Sequence, residues 1–351
     1  MSRKEADMKR MDVSDRAVPA AMRRRGVALA VAGALACAHV MQPVSAADQA
    51  YPEKPVRLVV GFATGTPPEI MARLIANHFT KAMGQAFYVD ARPGAGSTIA
   101  TAAVARSRPD GYTLMLGVAS GLGTGPHVIP SAGYDPRRDL DPIGFVQRGP
   151  YYISVRSELP IHDLKSMLAY QKSAATPLVF GSLGIGSVHH LIWELLMAKS
   201  GAQFTHLPFG GTPQMVNEAL AGRVDLMLET ASSLTVPYVK AGKFRYIAMT
   251  GEARGAKFPD VPTAREQGFP ELESQSWWVL VAPKGTPETI VGKLNAELAK
   301  ALQSPDAQQL LDSVGGASSG AGTPREVRAL IRTEYERWGD VITKANIKVG
   351  G

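Results

Sequence analysis

Two stretches of the chain change their apolar spacing in the same way. Residues 56–62 form a continuous apolar run that predicts a buried strand. A short turn, Ala63-Thr-Gly-Thr66, follows, and apolar residues then recur at Ile70, Met71, Leu74 and Ile75, the spacing of one helical face. Further on, residues 177–180 predict a second buried strand, residues 181–187 a glycine-rich turn, and Val188, Leu191, Ile192, Leu195 and Leu196 a second helical face. Ser187 stands where an N-cap belongs. Glycines let the backbone turn tightly and let a ligand approach the main chain. Unpaired N–H groups and the helix dipole then favour an anion at the helix start. Two such units predict two α/β lobes, each presenting a helix start. Taken singly, either turn is also what any strand-to-helix connection looks like.

The remaining segments fit this plan. Strands are expected over 86–90, 112–117, 204–208, 224–228 and 244–249, and helices over 98–107, 164–170, 213–221, 287–301 and 324–345. Residues 119–136, rich in Gly and Pro, read as a surface loop. Residues 143–155 read as extended chain leaving the first lobe, and residues 276–282 as the return to it. Strand–helix alternation predicts a mostly parallel sheet in each lobe, with ligands beyond the carboxyl ends of the strands. The expected division is a leader over 1–46, a first lobe from 47–150 plus 274–351, and a second lobe over 151–273.

Composition changes this picture mainly at the N-terminus. At 351 residues and 45% hydrophobic, the chain can fill two cores. Arg23-Arg24-Arg25 precedes an apolar run over 26–40, and small residues Val44-Ser45-Ala46 follow at cleavage spacing. This succession predicts a secretory signal, a mature start at Ala47 and a periplasmic location. Residues 1–46 hold eight Lys/Arg and four Asp/Glu, so their removal lowers the net charge from +7 to +3. No basic cluster remains that would mark nucleic-acid binding. The single cysteine, Cys37, lies in the leader, which leaves the mature chain without disulfides or thiolate metal ligands.

Catalytic motifs are missing. No glycine turn ends in Gly-Lys-Ser/Thr, Gly184-Ile-Gly186 lacks the third glycine of a dinucleotide fingerprint, and no Gly-x-Ser-x-Gly elbow occurs. His189 and His190 point about 100° apart on a helix and make a poor chelate. His206 reads as a strand residue with a satisfied ring. Glu229, after a strand, suits a general base or a contact to a ligand's polar group. Trp277-Trp278 suits ligand stacking or a packed core equally. A binding protein without metal or cofactor fits these residues better than an enzyme.

The chain resembles the solute receptors of tripartite tricarboxylate transporters, also called Bug receptors. The resemblance runs from Tyr51 to about Ile347. It is carried by Tyr51-Pro-Glu-Lys-Pro55, Asp90-Ala-Arg-Pro-Gly-Ala-Gly96, Pro109-Asp-Gly-Tyr-Thr-Leu114 and Gly184-Ile-Gly-Ser-Val-His-His-Leu191. Later markers are Val239-Lys-Ala-Gly-Lys243, Pro259-Asp-Val-Pro-Thr263 and Leu280-Val-Ala-Pro-Lys-Gly-Thr-Pro287. The resemblance implies a monomeric receptor of the two-lobed, type II-like periplasmic-binding-protein fold. Such a receptor closes on a small organic acid, amino acid or amide and hands it to membrane permease subunits. An orphan sensory receptor, presenting ligand to a signalling protein, is the alternative.

Position by position, the resemblance places Phe62, Ala63, Thr64, Gly65 and Thr66 at the ligand in the first lobe. It places Ser182, Gly184, Gly186 and Ser187 there in the second lobe, with Pro208, Phe209, Gly210, Glu229 and Thr230 bordering the cleft. The chain departs from the family pattern at Thr64-Gly65-Thr66 and Glu69, where Pro-Gly-Gly and a later Asp are usual. It departs again at Phe209-Gly210, for Tyr-Lys, and at Glu229, for Asp. Thr66-Pro-Pro-Glu69 reads as a capping box, which leaves the first lobe only the N–H groups of Gly65 and Thr66. The Ser187 turn keeps those of Val188, His189 and His190. One carboxylate or carbonyl is therefore expected at Ser187, and a neutral or cationic ligand end toward Thr66 and Glu69.

Overall fold

In the computed structural model, which describes residues 51–317 and 320–346, the apolar runs form two five-stranded sheets. The first holds β1 (Val56–Val60), β2 (Phe87–Ala91), β3 (Thr113–Val118), β4 (Leu140–Pro150) and β10 (Gln275–Pro283), in the order β2-β1-β3-β10-β4. The second holds β5 (Tyr152–Arg156), β6 (Val179–Ser182), β7 (Thr205–Pro208), β8 (Leu226–Glu229) and β9 (Phe244–Met249), in the order β7-β6-β8-β5-β9. β2 and β3 run parallel to β1, while β10 opposes both β3 and β4, so four of the five strands share a direction. The second sheet repeats this plan with β5 reversed. In each sheet the reversed strand is the one that enters from the other. The fold is the two-lobed α/β architecture of periplasmic binding proteins. The leader expected over 1–46 lies outside the described residues.

Helices cover both faces of the first sheet. α1 (Pro67–Met83) packs Met71, Ile75 and Phe79 with Leu58 and Val60 on one side, and α2 (Thr98–Ala105) packs Ala100 and Val104 with Val59 on the other. Behind β3 follow α3 (Gly125–Val128) and α4 (Pro136–Asp139). The second lobe carries α5 (Leu164–Ser173), α6 (Val188–Ser200), α7 (Thr212–Leu220) and α8 (Val236–Lys240). The chain closes with α9 (Glu288–Leu302), α10 (Pro305–Ser313) and α11 (Pro324–Lys344). Among the described residues no helix is long and apolar enough to cross a membrane.

The two crossings between sheets are tied at one buried threonine. The Tyr151 N–H donates to Thr250 Oγ1 (3.0 Å), which donates to the Ser274 carbonyl (2.7 Å). The Ser274 N–H in turn donates to the Thr250 carbonyl (2.8 Å).

Three expectations differ from what forms. Residues 119–136 are not a loop but a π-turn at Ser120–Thr124 followed by α3 and α4. The glycines there serve close packing: a Cβ on Gly125 would stand 2.4 Å from Thr98 Oγ1. Ile70 does not point inward; it is 39% exposed, and Glu69 takes the inward position. α10 was not expected, because its buried positions Ala307 and Leu311 are sparse in a polar run.

Candidate ligand-binding site

The parallel strands of both sheets end in the turns singled out by the sequence, and the first lobe adds two more, after β2 and β3. In the second lobe the turn after β6 is shaped by glycines at positive φ, Gly184 at 108° and Gly186 at 76°. Gly186 also abuts the first lobe, since a Cβ there would stand 2.5 Å from Val128 Cγ2 in α3. This contact puts the Ser187 turn at the boundary between the lobes. Ser187 is the N-cap of α6: its hydroxyl accepts the His190 N–H (3.3 Å) and donates to the Gly184 carbonyl (2.7 Å). The His190 N–H also meets the Ser187 carbonyl (2.9 Å), so it is not available to a ligand. The N–H groups of Val188 and His189 have no partner among the described residues. No acidic residue stands in that first turn.

Two stacked histidines stand behind this turn. The Gly186 N–H donates to His190 Nδ1 (3.1 Å), while His190 Nε2 faces Glu194 Oε1 at 3.1 Å. The first bond requires Nδ1 to be unprotonated, so Nε2 carries the proton toward Glu194. The His206 ring lies 4.2 Å from that of His190, and its Nε2 meets Ser182 Oγ at 2.6 Å. Ser182 Oγ also accepts the Gly184 N–H (3.1 Å). Burial, and then the neighbouring His190, push His206 down to about 4. His189 sits edge-on to Tyr151 and is pushed down to about 4 by burial. Sequence reasoning set these histidines aside as poor ligands; their role in holding the turn needed the fold.

The first-lobe turn is built differently. Thr66 is the N-cap of α1 but makes no side-chain cap; its hydroxyl donates to the Ala63 carbonyl (2.7 Å). Its N–H also goes to the Ala63 carbonyl (3.2 Å). Glu69 reaches past the cap to accept the Gly65 N–H (3.0 Å) and pairs with Arg73. The capping box therefore does not form, because the threonine hydroxyl is closer to a carbonyl than to the N3 amide. Both N–H groups expected to remain, Gly65 and Thr66, are consumed. Ala63, Thr64 and Gly65 are exposed, and Phe62 packs partly against the first core.

The remaining residues divide between surface and interior. Pro208 and Gly210 are exposed and Thr230 is half-buried. Phe209 lies in the core under α7, where its ring meets Gly181. Glu229 is 2% exposed, opposite Tyr152 in the sheet register, and neither carboxyl oxygen has a hydrogen-bond partner. Burial pushes it up to about 7, and the Thr235 and Ser154 hydroxyls, near but short of bonding geometry, pull only partly back. Trp277 and Trp278 pack into separate cores. Among the described residues no cluster of His, Cys, Asp and Glu could hold a metal ion.

The family model described as tripartite tricarboxylate transporter family receptor matches residues 71–347. The chain belongs to this family. It is 33% identical to protein BugT of Bordetella pertussis over 323 residues, covering 92% of this chain and 98% of BugT. Periplasmic binding protein BugD has a similar structure, with a TM-score of 0.70 at 33% identity, covering 85% of this chain and all (100%) of BugD. MatC of Rhodopseudomonas palustris, solved with bound malate, gives a TM-score of 0.70 at 33% identity, over 83% of this chain and 100% of MatC. The family comprises periplasmic solute-binding receptors rather than enzymes.

Proposed function

We propose that this protein binds a small carboxylate between its lobes in the periplasm and delivers it to the permease of a tripartite tricarboxylate-type transporter. The observation that carries the reading is the start of α6, where the N–H groups of Val188 and His189 stay unpaired at the lobe boundary. Ser182, Gly184, Gly186 and Ser187 shape that anion seat. Thr64 to Thr66 face the ligand from the first lobe, with Pro208, Gly210 and Thr230 at the rim. Phe209 and Glu229 support from the interior. The malate bound to MatC and the adipate bound to another R. palustris relative agree with an organic-acid ligand.

Native mass spectrometry of gently purified protein, followed by calorimetry with the acid it carries, tests this reading. Val188 occupies the first helical position, where proline is tolerated and removes only an N–H already free of the helix. Val188→Pro is expected to keep the fold and lose about tenfold to a hundredfold in affinity, the worth of a hydrogen bond to a charged group. Binding indifferent to Val188→Pro would move the anion elsewhere. Uptake of the acid should fail in cells lacking the protein; unimpaired uptake would favour a sensory role.

A further inference from the structure

We infer that the cleft takes a monocarboxylate whose far end is neutral and mainly apolar, and that it rejects dicarboxylates and tricarboxylates. The inference rests on the receptor reading above and adds the chemistry of the first lobe. A second carboxylate would need a second seat there, and the foremost candidate, the turn after β1, already holds the protein's own carboxylate.

The start of α1 is already filled by the protein's own anion. Glu69, 1% exposed, bends back over the turn to take the Gly65 N–H, and Arg73 balances its charge from the helix side. The Thr66 N–H is spent on Ala63, Pro67 and Pro68 have none, and the Glu69 N–H, without a partner among the described residues, sits beside that residue's own carboxylate. What remains exposed is Thr64, whose hydroxyl and N–H suit a neutral oxygen. An anion placed there would face the Glu69 carboxylate.

The start of α2 exposes no hydroxyl: those of Ser97 and Thr98 are buried and unpartnered among the described residues, with Ser97 pressed so closely on Gly61 that a Cβ there would stand 2.1 Å from its Oγ. Ile99 is 58% exposed and lies across Gly94, within 2.8 Å of the Cβ that residue would carry. Arg92, the basic side chain following β2, turns back to Asp90 (Nε–Oδ2 2.8 Å). After β3, the Ser120 hydroxyl donates to the Gly96 carbonyl (2.7 Å). Near these turns the exposed large side chains are apolar, Ile70 and Ile99 in the first lobe and Ile185, 46% exposed, beside the anion seat of the second. A ligand matched to these surfaces carries charge at one end only.

Calorimetry on the full mature protein with matched probes decides. The probes are pentanoate, glutaramate and glutarate, together with cyclohexanecarboxylate and cyclohexane-1,4-dicarboxylate. At least one neutral-ended acid should bind about tenfold or more tightly than its diacid partner, because like-charge juxtaposition is costly. Glu69→Gln should narrow that ratio by raising diacid affinity. A diacid that binds as tightly as its monoacid, or no binding by any monoacid, overturns the inference. If the tighter diacid still weakens in Val188→Pro, the receptor reading survives and the ligand class alone is wrong. If no probe responds to Val188→Pro, the anion seat at α6 fails as well.

Discussion

Glu229 shows how much a single residue's role depends on its surroundings. By sequence it stands after a strand, where a carboxylate can meet a ligand. In the fold it lies beneath the segment leading into α8, beside Tyr246, with no hydrogen-bond partner for either oxygen. Its carboxyl is raised from 4.5 to about 7. A group that holds its proton more tightly when folded stabilises the fold at low pH and loses that contribution as pH rises from about 4.5 to 7. The shift corresponds to about 3 kcal/mol, lost in full above pH 7. Glu229→Gln keeps the neutral shape at every pH. The variant should match the wild type near pH 4, exceed it in thermal stability at pH 8, and show a flatter pH profile between. Parallel profiles would mean that Glu229 titrates normally. The identity of this residue could be read from the chain, but its burial depends on β5 and β9, whose register no local pattern reveals.

At the scale of elements, α6 and its turn were the most legible part of the chain. Apolar residues at helical spacing, Ser187 as N-cap and glycines with positive φ all follow from local sequence. Ile192 and Leu196 are fully buried as that spacing requires. α1 was read less well, because Thr66 and Glu69 fit the capping-box pattern while Glu69 takes the Gly65 N–H, one residue before the cap, and the Thr66 hydroxyl turns back to the Ala63 carbonyl. The histidine stack behind α6 was beyond local reading, since it joins residues of a helix to a neighbouring strand. It carries its own expectation. His190→Ala strands the Gly186 N–H in a buried site, which should cost about 1–3 kcal/mol in urea unfolding and weaken carboxylate binding. His190→Asn keeps an acceptor where Nδ1 stood and should recover most of both. Equal losses in the two variants would show that ring volume, not the hydrogen bond to the turn, is what matters.

For the whole molecule, two sheets of one topology are joined by two crossings tied at Thr250. Further contacts span the lobes: the Ser233 N–H donates to the Ser313 carbonyl (2.7 Å), and Lys257 Nζ lies 3.4 Å from the carbonyls of both Ala231 and Asp312. With so few covalent links, hinge motion about the crossings is the expected response to ligand. Small-angle scattering should give a smaller radius of gyration once the best-binding acid of the calorimetric series is at saturation. An unchanged radius would argue for a cleft that does not close.

The sequence by itself determined where the strands and the long helices begin, because periodicity, glycine punctuation and N-caps are local signals. It also showed that the chain lacks catalytic motifs, since these depend on residue type and spacing. The tertiary structure alone decided which donors stay free. Val188 and His189 keep their N–H groups, whereas Gly65 and Thr66 lose theirs to Glu69 and Ala63. Both turns look alike along the chain, and they differ only where a side chain can fold back onto the backbone. The π-turn at Ser120–Thr124 shows the same limit. Its glycines resemble loop residues in sequence, yet Gly121 within it and Gly125 just after it let neighbouring side chains approach closer than a Cβ would permit.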